Sequence, residues 1–279
     1  PGTSPDYPLA TIDAAVGKCT ANNGDLILVN AGHAETLAAK ILCDIAGITI
    51  IGLGEGNTRP AITVGAVIDG IDITAVDVTI VNFRFPTPTA AATAVINVAA
   101  DRARVFDCWF ECGTNAVDVI TVTAAGERPT FAGNFVVVTA NGPDNWIIFE
   151  GVIDAPIVED NIIIGSDGTN AWDDGALNFN SQAVTNSIVR RNVFLGQGTA
   201  TTSIAGNGSI VGEMTGPNAY AGSATSADNT AGDNEVLDQL SGASGIPSFP
   251  NAAIPANDVS IAEVLRQVYA ALEGTAPRQ

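Results

Sequence analysis

Trp172-Asp173-Asp174-Gly175 is the segment of this chain best equipped for chemistry. Two adjacent carboxylates can divide the work of glycoside hydrolysis, one held protonated to donate and the other ionised to accept. An indole beside them offers a flat apolar face to a sugar ring. A Gly-bounded turn with two solvated Asp residues has the same sequence, and nothing nearby completes a catalytic set. Arg190-Arg191 is the most basic spot and could take a proton from an anionic sugar, but no cluster of acids that would hold calcium lies beside it in sequence. His33 is the only histidine, so a metal site built from several histidines is excluded, and no Ser-His-Asp or Cys-His pairing is supported. Its ring reads as a turn element bonded to backbone or to Glu35. Cys19, Cys43, Cys108 and Cys112 match no zinc spacing. They read as packed thiols, with a Cys19–Cys43 pair left open. No catalytic residue, cofactor or metal is expected.

The elements that would position these groups show in a repeat. Five segments carry β-branched or aromatic residues, a polar turn residue and another large apolar residue. They are 78–83, 105–109, 131–135, 157–162 and 188–193. Aligned on the residue after the Asn or Cys, the positions are 83, 109, 135, 162 and 193, so the steps are 26, 26, 27 and 31. A strand-rich period of this size predicts a solenoid whose coils stack and share a core. Short apolar bursts split by Gly, Asn, Asp and Pro are how strands buried in parallel sheets look. Asn82, Asn134, Asn161 and Asn192 recur at the coil turn and predict a ladder of stacked side-chain amides. Ile80, Phe106, Val136 and Ile163, or their immediate neighbours, are expected in one interior column.

Charge and hydropathy exclude some partners. With 30 acidic residues against 11 Lys and Arg, the net charge is −19, which repels nucleic acid and polyuronate alike. No apolar run of about 18 residues is present, so a membrane span is not expected. The opening residues do not read as a basic-then-apolar leader. Arg102, Arg104 and Arg128 lie near turns, where they could pair with acids of a neighbouring subunit.

The start of the chain carries a resemblance. Gly24-Asp25 with its apolar strand, the Ala31-Gly32-His33-Ala34-Glu35 turn, and Ile48-Thr49-Ile50-Ile51-Gly52-Leu53-Gly54 followed by Arg59-Pro60 resemble the opening coils of pectate-lyase-like right-handed parallel β-helix proteins. The His33 and Glu35 variant is more similar to phage-encoded members than to secreted plant-wall enzymes. The resemblance spans about residues 8–200. It implies a parallel β-helix, a virus association and trimers. Asp173-Asp174 looks partly like the acid pair of polygalacturonases, but the accompanying Gly-His-Gly and Arg-x-Lys motifs are absent.

The expected organisation is an all-β, single-stranded right-handed parallel β-helix with a helix at each end. Residues 1–24 form an N-terminal cap in which 8–23 read as a short amphipathic helix, covering a core that would otherwise meet water. Residues 25–212 form the coils, and 213–257 a Gly/Ala/Ser-rich extended segment. Residues 258–279 form a helix opened by a Ser260/Glu263 capping box and closed by Gly274 and Pro277. Its stripe of Ile261, Val264, Leu265, Val268, Tyr269 and Leu272 is apolar at helical spacing and too short to stand alone, so it must pack either on the chain's own coils or on copies of itself; the resemblance to phage β-helix proteins, which are commonly trimers, implies the second.

The functional expectation is a non-enzymatic structural protein of a virus particle. A trimeric decoration or cement protein on the capsid surface, touching the major capsid protein or another virion protein, fits better than a tail part. One alternative is a tailspike-like binder or depolymerase of host glycans, using Trp172, Asp173 and Asp174. The other is a secreted β-helix lyase or hydrolase. Neither nucleic acid nor membrane is expected as a partner.

Overall fold

The computed structural model describes residues 2–4, 6–138, 142–165, 172, 174–180 and 184–195, with the backbone of three further strands, Thr202–Ala205, Ile210–Val211 and Ala219–Ala221. These form a right-handed parallel β-solenoid with almost no helix. Three sheets run along the coils, with seven, eight and seven strands, and a three-stranded sheet lies beside them. Sheet 1 contains Leu26–Val29, Thr49–Gly52, Thr79–Val81, Arg104–Phe106, Thr130–Ala132, Ile157–Glu159 and Ile188–Arg190. Sheet 2 begins with Ala34–Leu37 and includes Trp109–Cys112, Phe135–Val138 and Ile162–Ile164, while sheet 3 begins with Ile41–Cys43 and includes Ala116–Val122 and Asn145–Phe149. Each strand pairs in parallel with the equivalent strand one coil on, for example Thr79 with Arg104 and Arg104 with Thr130.

Coil length in sheet 1 varies from 23 residues (Leu26 to Thr49) to 31 (Ile157 to Ile188), because turns absorb the differences while strand register is kept. The repeat read from sequence is right in period but slips by one residue at its first member. Arg84, not Phe83, pairs with Trp109.

The core is a set of like-on-like columns. In sheet 1 Ile27, Ile50, Ile80, Val105, Phe131, Val158 and Val189 stack inside. In sheet 2 Phe85, Phe110, Val136, Ile163 and Phe194 do so. The expected interior column is therefore two columns, and Phe106 belongs to neither. Val105 takes the interior slot, and the two-residue period of a strand turns Phe106 outward.

Sheet 1 is framed by two lines of left-handed backbone. Two residues before its strands sit Gly24, Gly47, Asp77, Arg102, Arg128, Ala155 and Asn186, all with positive φ. Just after its strands sit Asn82, Asp107, Gly133, Asp160 and Arg191, with φ of 64, 52, 68, 58 and 55°. The second line makes the sharp corner into sheet 2, which opens within two residues.

The corner also carries the asparagine ladder. Asn134 Oδ1 accepts from the Cys108 N–H at 3.0 Å, Asn161 Oδ1 from Asn134 N–H at 2.9 Å, and Asn192 Oδ1 from Asn161 N–H at 3.1 Å. Their Nδ2 groups donate to the carbonyls of Val105, Phe131 and Val158. Asn82 is not a rung. It occupies the left-handed position one residue earlier and donates to Gly52 O and Gly54 O.

The N-terminal helix is five residues, Ile12–Val16, rather than 8–23. Thr11 caps its start, and Gly17 ends it by donating to Ala15 O and Asp13 O. Ile12 and Val16 join the core, and Asp13 Oδ1 accepts from Leu42 N–H on the first strand of sheet 3. The expected helix over 258–279, with its stripe of Ile261, Val264, Leu265, Val268 and Leu272, lies outside the described residues, as does nearly all of 213–257. Ala219–Ala221 continues sheet 2 past the expected boundary at 212.

Candidate functional site

Most residues with chemical potential on the coils are used between coils. Arg102 is forked onto Asp77, one coil below, at 2.7 and 2.8 Å. Arg128 reaches Asp101 at 2.8 Å, and Arg104 lies 4.0 Å from Asp77. The sequence left these three free to pair with acids of a neighbouring subunit; within the chain they pair from coil to coil, Asp77, Arg102 and Arg128 standing in one line of left-handed turns. Arg191 binds Asp160 and Glu159, and Arg190 binds Glu159 at 2.8 Å. Hydrogen bonds from Arg191 hold Asp160 below the usual carboxylate range, as those from Arg102 do for Asp77. A guanidinium in such a fork stays charged and is a poor proton acceptor.

His33 Nε2 lies 3.2 Å from Glu35 Oε2, the contact expected from the sequence. Glu35 also accepts from Ile12 N–H at 3.2 Å, where the helix begins. The cysteines are all free. Burial pushes the Cys43 and Cys108 thiols up to about 12 and Cys112 higher still, so none of these three is a thiolate at neutral pH. Among the described residues no three His, Cys, Asp or Glu side chains come together as metal ligands, and no helix is long and apolar enough to cross a membrane.

The predicted acid–aromatic segment comes apart. Trp172 is fully buried and presents no ring face to a sugar. Asp174 is exposed, and its N–H donates to Asp144 O at 3.2 Å. Asp173 lies outside the described residues.

The acid that stands out is one the sequence reading passed over. Asp118 is 7% exposed, and its cross-strand partner Asn145 is 1% exposed. Asn145 Nδ2 donates to Asp118 Oδ1 at 2.8 Å, while Asn145 Oδ1 accepts no hydrogen bond. Burial raises the Asp118 carboxyl to about 6; the Asn145 bond opposes this, and the charges of Asp144, Glu150 and Asp174 add to it. A lone Asp inside Ala116-Val117-Asp118-Val119-Ile120 was the available signal.

The raised carboxyl has a stability consequence. A folded value near 6 against 3.8 means the folded state holds the proton more tightly. Its contribution is most favourable in acid and is lost as pH rises from about 4 through 6. Asp118→Asn, which keeps the shape, should therefore be more stable than the parent by about 1–3 kcal/mol at pH 7.5. The difference should shrink towards pH 4. Urea midpoints of both proteins across this range test it, and a difference independent of pH would refute the assignment.

The outer faces of sheets 1 and 2 are unusually apolar. Leu28, Ile51, Val81 and Phe106 form one outward column of sheet 1, with Leu28 60% exposed. Trp109, Phe135, Ile162 and Val193 form one of sheet 2, with Ile162 42% exposed. Trp109 and Phe135 meet edge-on at 6.0 Å, and the Arg84 guanidinium sits 5.3 Å over the Trp109 ring while forked onto Glu111. Sheet 3 is different: the corresponding column runs Leu42, Asp72, Asn97, Thr121, Ile148 and Asn178, mixed in polarity, with Asp72, Thr121, Ile148 and Asn178 buried.

Compared with known proteins, the chain matches no family model, no curated protein and no solved structure.

Proposed function

We propose that this chain is a non-enzymatic structural protein of a phage particle, a trimeric decoration protein seated on the capsid surface. One observation carries the reading. The arginines and acids that could have served lyase or hydrolase chemistry on the coils are joined in coil-to-coil pairs, Arg190 and Arg191 with Glu159 and Asp160 above all. Such pairs fasten a scaffold and leave no free base for proton abstraction at that spot. The virus association rests on the resemblance of the opening coils. In this reading the helix Ile12–Val16 closes one end of the core, and the stripe of Ile261, Val264, Leu265, Val268 and Leu272 helps hold three copies together.

A second reading is favoured by Asp118. A carboxyl raised to about 6, with the charges of Asp144, Glu150 and Asp174 adding to the shift, is the kind of protonated acid that glycoside hydrolases use as a proton donor. Its burial beneath the surface and the fully buried Trp172 argue against a sugar reaching it.

Fractionation of particles from a producing host tests the proposal. The chain should travel with capsids lacking tails, and purified protein should release no reducing sugar from host polysaccharide. Finding it only with tails, or only free of particles, overturns the capsid assignment. Sugar release lost in Asp118→Asn or in the Asp173→Asn, Asp174→Asn double variant overturns the non-enzymatic one.

A further inference from the structure

We infer that Asp118 and Asn145 form a closed acid–amide pair, in which the carboxyl keeps its proton and donates it to Asn145 Oδ1. The pair makes sheet 3 a pH-sensitive seam, shut while the proton is present and pushed open when it leaves. The inference goes beyond the reading above and does not depend on it.

A buried oxygen asks for a donor. Asn145 Nδ2 donates to Asp118 Oδ1 at 2.8 Å, while Asn145 Oδ1 is buried and accepts nothing. Such an acceptor is costly to leave bare, and buried side-chain oxygens as a rule find a partner. The cross-strand column around it is Ala94, Asp118, Asn145 and Gly175, one residue per coil. Alanine and glycine carry no side-chain donor. Trp146 has an unpartnered indole N–H, but a strand turns successive residues to opposite faces. The hydrogen these four residues can supply to Oδ1 from a neighbouring side chain is a proton on Asp118. A carboxylic acid and a primary amide each carry a donor beside an acceptor. Set edge to edge, they close two hydrogen bonds, N–H to O and O–H to O.

The surroundings keep the proton in place. The charges that bear on the Asp118 carboxyl are those of Asp144, Glu150 and Asp174, all negative. Burial and these charges both favour the neutral acid. Loss of the proton has two effects. It adds a further negative charge among these acids, and it turns Oδ2 into an acceptor facing the bare oxygen of Asn145. The disturbance falls where three coils are tied together, because Val117 O accepts from Asp144 N–H at 2.7 Å and Asp144 O from Asp174 N–H. The raised carboxyl is then a fastening between coils rather than a donor to a substrate.

The test follows urea unfolding of the full chain across pH, with Asp118→Asn as the reference that keeps the pair shut throughout. The stability gap between this variant and the parent should open from about pH 4 and level off above about 6. The same comparison is then made in an Asn145→Ala background. Removing the amide takes two bonds from the neutral acid and one from the ionised form, so the gap should level off about one pH unit lower. An amide that serves only as a donor to an ionised carboxyl gives the opposite result, a gap that levels off at higher pH. That outcome, or an unmoved one, overturns the inference. Infrared spectra of the parent at about pH 5 supply a reading that needs no change at Asn145. The acid carbonyl band absent from Asp118→Asn should lie below the position of a free carboxylic acid. A band at the free position, or no such band, overturns the pair.

Discussion

Asn161→Ala is expected to destabilise the fold by about 3–5 kcal/mol, read as a lower urea midpoint. Asn161 is fully buried in the middle of the ladder. Its Oδ1 accepts from the N–H and the Nδ2 of Asn134, and its Nδ2 donates to Phe131 O and Asn192 Oδ1. Alanine removes every one of these bonds without removing the groups they satisfied. Each buried donor or acceptor left bare costs about 1–3 kcal/mol. The strands on either side keep their own pairings, so relaxation can recover only part of the loss. A cost below about 1 kcal/mol would mean that water enters the corner freely and that the ladder is ornament.

Phe110→Ala should cost about 3–5 kcal/mol, whereas Phe106→Ala should cost about 1 or less at a concentration low enough to keep the chain monomeric. The two residues are four apart in sequence and differ only in which way their strands turn them. Phe110 is 1% exposed and stacks on Phe85, with ring centroids 4.9 Å apart and planes at 11°. Removing it opens a cavity between Phe85 below and Val136 above, in a column held by backbone ladders that cannot collapse inward. Phe106 points outward over Val81 and beside Ala132, where loss of the ring opens no cavity. Equal costs for the two would show that the register of the corner is wrong.

The coil period was legible because strands buried in parallel sheets leave dense β-branched bursts, and turns interrupt them. The inside and outside of each strand were less so. Val105 and Phe106 are both apolar, and only the pairing with Ile80 and Phe131 decides which one is interior. Asn82 misled for a related reason. Asn suits both a ladder rung and a left-handed turn, and here Phe83 fills the slot that Asn134 fills two coils later. Asp or Gly at a left-handed position can be suspected from sequence. Arg102, Arg128, Ala155 and Arg191 in that conformation cannot, since the stacked coil imposes it. Asp118 owes its raised carboxyl to burial, against the opposing bond of Asn145 in the next coil, and no local window reveals either.

The ladder has a direction. The N–H of Cys108 is accepted by Asn134, that of Asn134 by Asn161, and that of Asn161 by Asn192, always by the coil made later in synthesis. A chain emerging from a ribosome therefore finishes each corner only when the following coil arrives. Until then the newest rung bonds to water at an open end. Growth from the first coil onward therefore always leaves the backbone donor of its newest corner to water, whereas a coil laid ahead of a formed one would find its acceptor already in place. Each corner of the ladder is thus completed only by the coil that follows it in the chain.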